Sequence, residues 1–148
     1  MISQKAKYAL RALIALARSH GNDGTQVISE IADQQRIPKK FLEQILLDLK
    51  HHGIVASRRG KAGGYMLLKS PSAITFGEVL RIVDGPIAPL PCLSRMAYRR
   101  CEDCRDEDGC EVRRVFALVA DATRRVLDST TIADCLDVAN QEVHVHIA

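Results

Sequence analysis

The chain has 148 residues, enough for one compact domain or two very small ones, and 47% of them are hydrophobic, so a core can form. No apolar stretch approaches a membrane span and no secretory signal precedes the first helical pattern, so we expect a cytoplasmic protein without a membrane partner. The net charge of +3 is uneven: residues 1–70 hold twelve Lys and Arg against five Asp and Glu, or +7, whereas residues 71–148 hold nine against thirteen, or −4. A basic first half is typical of a surface that approaches a phosphate backbone, although an ordinary solvated surface is the alternative.

The first part of the chain predicts three helices. Ser3 is a suitable N-cap for a helix over Gln4–His20, and a short second helix is expected around Ser29–Gln35. Pro38 suits the first turn of a third helix because its missing N–H has no partner to lose there. Gly53 ends that helix, whose buried stripe is expected to consist of Leu42, Ile45, Leu46 and Leu49.

A β-hairpin is predicted next. The runs IVASR and YMLLK have strand composition and are joined by the glycine-rich turn RGKAGG. Two helices with a short connection, followed by a hairpin, describe a winged helix-turn-helix, in which the second helix of the pair enters the major groove of DNA. The turn could also be read as the phosphate loop of a nucleotide hydrolase, but it lacks the spacing and the final Lys-Ser/Thr pair.

The predicted recognition helix exposes four candidates for DNA contact. Lys39 and Lys40 lie in its first turn, where lysines neutralise phosphates. Glu43 can accept a hydrogen bond from a cytosine amino group, and Gln44 can pair with adenine; a surface ion pair between Glu43 and one of the lysines is the alternative. The hairpin turn adds three cations that can contact the backbone or a narrow minor groove: Arg58, Arg59 and Lys61.

The second half of the chain predicts a helix, a loop and a long helix. Thr75-x-x-Glu78 is a capping box for a fourth helix that ends at Asp84-Gly85-Pro86. From Gly85 to Cys110 the apolar residues follow neither helical nor strand spacing, which predicts a loop. A loop of this length is usually functional or disordered. An amphipathic pattern over Glu111–Leu127 then predicts a dimer contact, with packing inside its own chain as the alternative.

These elements predict a mainly α fold with a small β-hairpin. We expect a winged helix-turn-helix DNA-binding domain over 1–84, a cysteine-rich sensor loop over 85–110, and a dimerisation helix with a C-terminal helix over 111–148. The last helix is expected at Ile132–Ala139, capped by Thr131.

Four cysteines fall within the sensor loop, spaced Cys92-x8-Cys101-x2-Cys104-x5-Cys110. Soft thiolates this close together are typical ligands of an iron–sulfur cluster or a metal ion. Two alternatives remain open: a closed tetrahedral zinc site, and a metal-free thiol switch whose thiolates are favoured by neighbouring arginines. Cys135, in the apolar stretch IADCL, is expected to be a small buried side chain, and the HVH of His144 and His146 a frayed terminus.

Several segments together resemble a known family. They are MISQKAKYALRAL, FLEQILLDLKHHGIV, the hairpin RGKAGGYMLLKSP with a capped helix ending in DG, and TTIADCL. They are similar to the winged-helix regulators that include IscR, NsrR, CymR and RirA, the Rrf2 family. The resemblance covers nearly the whole chain and implies a homodimer that binds palindromic operators in double-stranded DNA. It also implies, as in many members, an iron–sulfur cluster in the loop before the long helix.

The cysteine pattern departs from the one that the resemblance implies. Cys110 and Cys104 fit the last and middle ligand positions, but Tyr98 stands where the first cysteine is expected and Arg113 where some relatives have a histidine. Residues 1–19 contain no Asp, Glu or His that could act as a ligand from a partner's first helix. We therefore expect four thiolates from one subunit, holding a 2Fe–2S or 4Fe–4S cluster.

These observations predict a homodimeric transcription repressor whose operator affinity is controlled by an iron–sulfur cluster or by the redox state of the loop cysteines. The alternative is a thiol-switch or zinc-stabilised winged-helix repressor without a cluster. An enzyme or electron carrier is not expected, because the sequence has neither a phosphate-binding loop nor a nucleophile motif.

Overall fold

The computed structural model describes residues 2–21 and 24–137, and within them it confirms the mainly α fold with one antiparallel hairpin. The helices are α1 (Gln4–Arg18), α2 (Ile28–Gln35), α3 (Lys39–His51), α4 (Phe76–Asp84), α5 (Glu111–Ser129) and α6 (Asp134–Asp137). The strands are β1 (Val55–Arg58) and β2 (Gly64–Leu67), and short 3-10 turns lie at Pro71–Ala73 and Pro91–Leu93. No helix among the described residues combines the length and the apolar character that crossing a bilayer requires.

Helix α1 begins where its cap predicts. The Ser3 side chain accepts a hydrogen bond from the Ala6 N–H at 2.9 Å, which satisfies one of the unpaired donors of the first turn. The Ser3 N–H also donates to the Asp84 carboxylate at 2.9 Å, so the start of α1 is tied to the end of α4. The inward face of α1 consists of alanines and leucines, which allow α3 and α4 to pack closely against it.

The turn between α2 and α3 is tight because Arg36 adopts the left-handed conformation, with φ of 51°. The Ile37 N–H then returns to the Ala32 carbonyl at 2.9 Å. Pro38 lies at the N-cap of α3, one residue before the first turn in which the sequence analysis placed it. The predicted stripe of α3 is fully buried, at Leu42, Ile45, Leu46 and Leu49.

The hairpin, called the wing below and spanning residues 55–67, pairs Val55 with Leu67 and Arg58 with Gly64. A third segment extends it: Gln26 N–H donates to the Tyr65 carbonyl at 2.9 Å, and Tyr65 N–H returns to the Gln26 carbonyl at 2.8 Å. The wing is thereby fixed to the segment before α2. A hydrogen bond of 2.6 Å from Lys50 Nζ to the Ser57 hydroxyl also joins it to α3.

Helix α5 is joined to the rest of the chain chiefly at its C-terminal end. The Phe76 N–H donates to the Thr130 carbonyl and the Ile132 N–H donates to the Ile74 carbonyl, both at 2.9 Å. An Arg81–Asp128 ion pair of 2.7 Å lies beside them. Within α5, all of whose residues the structure describes, Ala120 is the buried side chain. Most of the helix therefore presents its side chains outward.

The final helix is shorter in the described residues than the sequence predicts. The expected cap is present, because the Asp134 N–H donates to the Thr131 hydroxyl at 3.3 Å and the Asp134 carboxylate accepts from the Thr131 N–H at 2.7 Å. Helix α6 covers Asp134–Asp137, and the remaining residues of the predicted span, 138–139, lie outside the described residues, as do His144 and His146. Cys135 is half-buried rather than buried, and burial raises the pKa of its thiol.

Candidate nucleic-acid interface and cysteine cleft

The four candidates on α3 are all exposed. Lys39 and Lys40 occupy the first turn, followed by Glu43 and Gln44. In the part of the chain that the structure describes, no ion pair joins Glu43 to either lysine, so the surface pair weighed as an alternative is not formed. The carboxylate of Glu43 is therefore available to a base edge or to solvent.

Gln44 is held in place by a contact that the sequence analysis did not identify. Its side-chain amide donates to Asp48 Oδ1 at 3.0 Å, and Lys5 Nζ from α1 donates to Asp48 Oδ2 at 2.7 Å. The hydrogen bond from Lys5, with the smaller contribution of Gln44, lowers the pKa of Asp48, although burial opposes the shift. The signal in the sequence was the i, i+4 spacing of Gln44 and Asp48 on one helix.

Replacing Asp48 by asparagine should therefore destabilise the protein at neutral pH by about 1 kcal/mol, the value of a partly exposed ion pair. Both side chains of the pair are less than one-third exposed, at 31% for Lys5 and 26% for Asp48. Because the folded-state pKa of Asp48 is lowered, its contribution is complete above the unfolded pKa near ~3.9 and is lost as pH falls through the folded pKa.

Urea unfolding at pH 7 and near pH 3 measures this effect. The difference between wild type and D48N should shrink at the lower pH. The exposed Asp33→Asn in α2 is the charge-matched control and should change stability little at either pH. A D48N protein with the stability of D33N at neutral pH would contradict the assigned ion pair.

The turn of the wing presents the three predicted cations, Arg58, Arg59 and Lys61, and all are exposed. Gly60 has φ of +104°, and the Gly63 N–H donates to the Gly60 carbonyl at 2.9 Å, which closes the turn. A side chain at Gly63 would place its Cβ 2.7 Å from the Arg58 carbonyl oxygen, so the tight turn requires glycine there. The backbone of the wing tip is thus well suited to close approach to a nucleic acid.

The four loop cysteines line one cleft of about 530 Å³ between the sensor loop and the start of α5, called the cysteine cleft below. Cys92 is buried, at 6% exposure, and lies in the 3-10 turn Pro91–Leu93. Cys101 is exposed, and Cys104 and Cys110 are half-buried. All four are free thiols. The structure therefore brings together residues that are up to eighteen positions apart in the sequence.

Cys110 is also the N-cap of α5. Its Sγ accepts a hydrogen bond from the Arg113 N–H at 3.3 Å. The N-terminus of a helix carries a partial positive charge, so it favours negative charge at the capping atom. A change in the chemistry of this sulfur would act directly on the first turn of α5.

Lost hydration, and after it the nearby Cys92, raises the pKa of the Cys101 thiol. Arg100 borders the same region, where its guanidinium donates to the carbonyl oxygens of Cys104 and Arg105, each at 3.2 Å. The hydrogen bond with the Cys104 side chain raises the pKa of Arg100.

The loop around the cleft is braced by Glu107. The Tyr98 hydroxyl donates to the Glu107 carboxylate, which raises the pKa of Tyr98, and the Arg113 guanidinium lies 3.8 Å from the same carboxylate. Tyr98 and Arg113 are the two residues that occupy positions where the family resemblance leads us to expect cluster ligands. In this chain they are joined to each other through Glu107, and sequence spacing gave no signal for that link.

The residues of the cysteine cleft fit a soft metal or an iron–sulfur cluster in their chemistry, because four thiols face one space. In residues 2–21 and 24–137, however, no three His, Cys, Asp or Glu side chains are close enough together to hold a metal ion. The four-thiolate ligand set therefore stays a prediction about the loaded protein.

The comparisons with known proteins agree with one another: each identifies transcriptional regulators of one family. Residues 2–138 match the Rrf2 family model, described as an iron-dependent transcriptional regulator. An Rrf2-like HTH-type transcriptional regulator of Rhodobacter capsulatus is 52% identical over 142 residues, which are 95% of this chain and 95% of the relative. The transcriptional regulator IscR of Yersinia enterocolitica is 30% identical over 142 residues, which are 96% of this chain and 81% of the relative.

CymR of Bacillus subtilis, another HTH-type transcriptional regulator, is 34% identical over 146 residues, which are 99% of this chain and 96% of the relative. The solved structure of CymR, described as the global cysteine regulator of that organism, aligns with a TM-score of 0.77 and 35% identity. The alignment covers 93% of this chain and 96% of that one. The alignment thus extends over most of both chains.

Proposed function

Because the chain belongs to the Rrf2 family of transcriptional regulators, we propose that it is a homodimeric repressor that binds a palindromic operator and responds to the state of its loop cysteines. Regulators of this family act on transcription and are not enzymes. The observation that carries the proposal for control is the cysteine cleft, which all four loop cysteines line beside the first turn of α5. We further propose that the protein acts in the cytoplasm, where DNA is accessible and thiols stay reduced.

Operator contact is assigned to α3 and the wing. The exposed lysines of the first turn of α3 would approach phosphates, and Glu43 and Gln44 would face base edges in the major groove. The cations of the wing tip, Arg59 among them, would contact the flanking backbone or minor groove. The Asp48 contact would limit the rotamers of Gln44 before DNA arrives, which reduces the entropy lost on binding.

The dimer is assigned to α5. Five large apolar side chains follow one side of this helix and are 39–62% exposed in a single chain: Val112, Val115, Phe116, Val119 and Val126. A stripe of this kind at heptad-like spacing on a single helix supports pairing with the same helix of a second copy. A symmetric dimer places two wings for the two halves of a palindrome.

We assign the coupling between the cysteine cleft and the DNA-binding part to α5. Cys110 caps its first turn, and Thr130, the residue that follows its last turn, accepts a hydrogen bond from Phe76 at the start of α4, within the DNA-binding part. A ligand or modification in the cysteine cleft would shift the operator-binding form only by interacting differently with the two states. A coupling of about 1–3 kcal/mol would change operator affinity roughly 5- to 150-fold.

Cys92, Cys101, Cys104 and Cys110 are the residues that would hold an iron–sulfur cluster, either 2Fe–2S or 4Fe–4S. Such a cluster, when bound, supplies iron and sulfide that react with oxidants and gaseous radicals. The residues of this chain would position the site: Cys110 links it to α5, and Glu107 braces the loop around it. Zinc held by the same thiols is the alternative metal.

Operator binding is tested by gel shift with the inverted repeats upstream of the protein's own and neighbouring genes. Affinity should fall steeply with salt, because each phosphate contact releases a counterion. Arg59→Ala should weaken binding to all sequences and reduce the slope of log affinity against log salt by about 1. Arg125→Ala, an exposed position on α5, is the matched control and should leave that slope unchanged. Equal affinity for operator and random duplexes would contradict a specific repressor.

The cofactor is tested on protein purified without air. Wild type should be coloured and contain iron and sulfide in stoichiometric amounts, and Cys104→Ser should lose most of both. Cys135→Ser removes a half-buried thiol that does not line the cleft, so its iron and sulfide content should match wild type. A colourless wild-type product after anaerobic reconstitution would remove the cluster from the proposal and leave the DNA-binding function standing.

A further inference from the structure

Gln44, a candidate for base contact on α3, is joined to the body of the protein through Asp48. Gln44 Nε2 donates to Asp48 Oδ1 at 3.0 Å, and Lys5 Nζ of α1 donates to Asp48 Oδ2 at 2.7 Å. Each oxygen of the carboxylate therefore has its own donor. Asp48 and Lys5 are half-buried and Gln44 is exposed, so the exposed end of this chain of bonds is the amide of Gln44.

The carboxylate of Asp48 determines which end of the Gln44 amide faces it. A carboxylate only accepts hydrogen bonds, and the bond from Lys5 lowers the pKa of Asp48, so the group is ionised at neutral pH. The amide oxygen, Oε1, would meet a second acceptor in this position, so the NH2 group of the amide faces Asp48. One N–H is thereby engaged, and the other N–H and Oε1 remain for another partner.

The two groups that remain on Gln44 match the edge of adenine in the major groove. Adenine presents the acceptor N7 beside the amino group at N6, so it needs one donor and one acceptor from the protein. Guanine presents N7 and O6, which both accept, so it needs two donors. Because Gln44 has a single N–H left, its Oε1 would face a guanine acceptor with no proton between them, and such an unsatisfied pair is unfavourable.

We propose that Asp48 is a positioning residue that makes Gln44 select adenine over guanine at one base pair of each operator half-site. The inference rests on the operator-binding function proposed above and names the base that one side chain reads. Asp48 acts through Gln44 and contacts no base itself. A glutamine without this contact can turn its amide and donate both N–H groups to guanine, so the selection comes from the pair and not from Gln44 alone.

Two substitutions that remove the same ion pair separate this role from a structural one. In Asp48→Asn, we expect the single oxygen of the new amide to accept from Lys5, which leaves its NH2 group facing Gln44. Gln44 then turns Oε1 toward that NH2 group, both of its own N–H groups face the DNA, and the preference shifts toward guanine. In Lys5→Met the ion pair is also lost, but the carboxylate of Asp48 still accepts from Gln44, so the preference for adenine stays.

The experiment selects bound duplexes from a pool of randomised sequence and measures the base frequencies at every position for full-length wild type, D48N, K5M and Gln44→Ala. The base pair that Gln44 reads is the one at which Q44A loses the wild-type preference. There, wild type should favour adenine over guanine by about tenfold or more, the value of a two-bond contact to one base. K5M should keep that ratio, and D48N should lower it by about tenfold. The other positions are the internal control, because D48N should leave their preferences unchanged.

Four results would overturn the proposal. The first is equal preference for adenine in D48N and wild type. The second is a loss in K5M as large as in D48N, because the ion pair and not the acceptor would then be the cause. The third is a D48N protein that alters every position alike, which indicates a structural role. The fourth is a Q44A protein with all wild-type preferences, because Gln44 then reads no base. In each of these cases the repressor function stands, whereas a wild type that enriches no sequence would reject that function and this inference together.

Discussion

Replacing Val119 by glutamate should convert the protein from a dimer into a monomer and lower its affinity for a palindromic operator by roughly 100-fold or more. Val119 lies in the middle of the exposed apolar stripe of α5 and is 47% exposed in a single chain. A carboxylate is tolerated there in the monomer, because water solvates it. In a helix-to-helix interface the same charge would be buried without a partner, at a cost of several kcal/mol. The two half-sites of the operator would then be bound independently, and the gain from joint binding would be lost.

Sedimentation and gel shift measure the two consequences. The matched control is Leu118→Glu, which introduces the same charge at a neighbouring residue that is 71% exposed but lies about 100° around the helix from Val119. L118E should remain a dimer with near wild-type operator affinity. If both variants stay dimeric, the apolar stripe is not the dimer contact. If both become monomeric, the interface covers a wider part of α5 than the stripe.

Local signals in the sequence predicted most of the fold. The caps at Ser3 and Thr75 start α1 and α4 as predicted, because each side chain accepts a hydrogen bond from an N–H of the first turn that has no partner within the helix. The apolar spacing of α3 predicted its buried face because helix geometry determines which residues share a side. The pairing of Gln26 with Tyr65 was not predicted, because a β-bridge of one residue leaves no repeating pattern in the sequence. The same holds for the bonds that join Thr130 and Ile132 to the segment before α4, because they connect residues that are far apart in sequence.

The candidate site was predictable in composition but not in arrangement. Cysteine spacing predicted that the thiols would converge on a metal or cluster; all four line one cleft, but no three His, Cys, Asp or Glu side chains of the described residues are close enough together to hold a metal ion. It did not predict that Cys92 would be buried while Cys101 is exposed, because that depends on the 3-10 turn at Pro91–Leu93 and on the fold of the loop. Glu107 had no motif to mark it. Its role follows only from the side chains that the folded loop brings to it, Tyr98 and Arg113.

Replacing Gly64 by alanine should destabilise the protein by about 3 kcal/mol and lower its melting temperature by roughly 10 °C. Gly64 begins β2 with φ of +153°, a conformation that side chains rarely adopt. An added Cβ would stand 2.6 Å from the carbonyl carbon of Gln26 and 3.1 Å from the Thr25 side chain. The first of these neighbours is backbone, so relief requires the wing to move away from the Gln26 segment, which breaks the two hydrogen bonds between Gln26 and Tyr65.

Because the wing carries Arg59 and Lys61, its displacement should reduce operator affinity even at temperatures where G64A remains folded. Gly60→Ala is the matched control, since Gly60 also has positive φ, +104°, but an added Cβ there meets nothing within 4 Å. G60A should therefore show only the conformational cost, about 1–2 kcal/mol, and keep the wing in position. Thermal unfolding and gel shift of both variants separate the two effects. Equal losses of stability and operator affinity in the two variants would mean that contact with the Gln26 backbone does not position the wing.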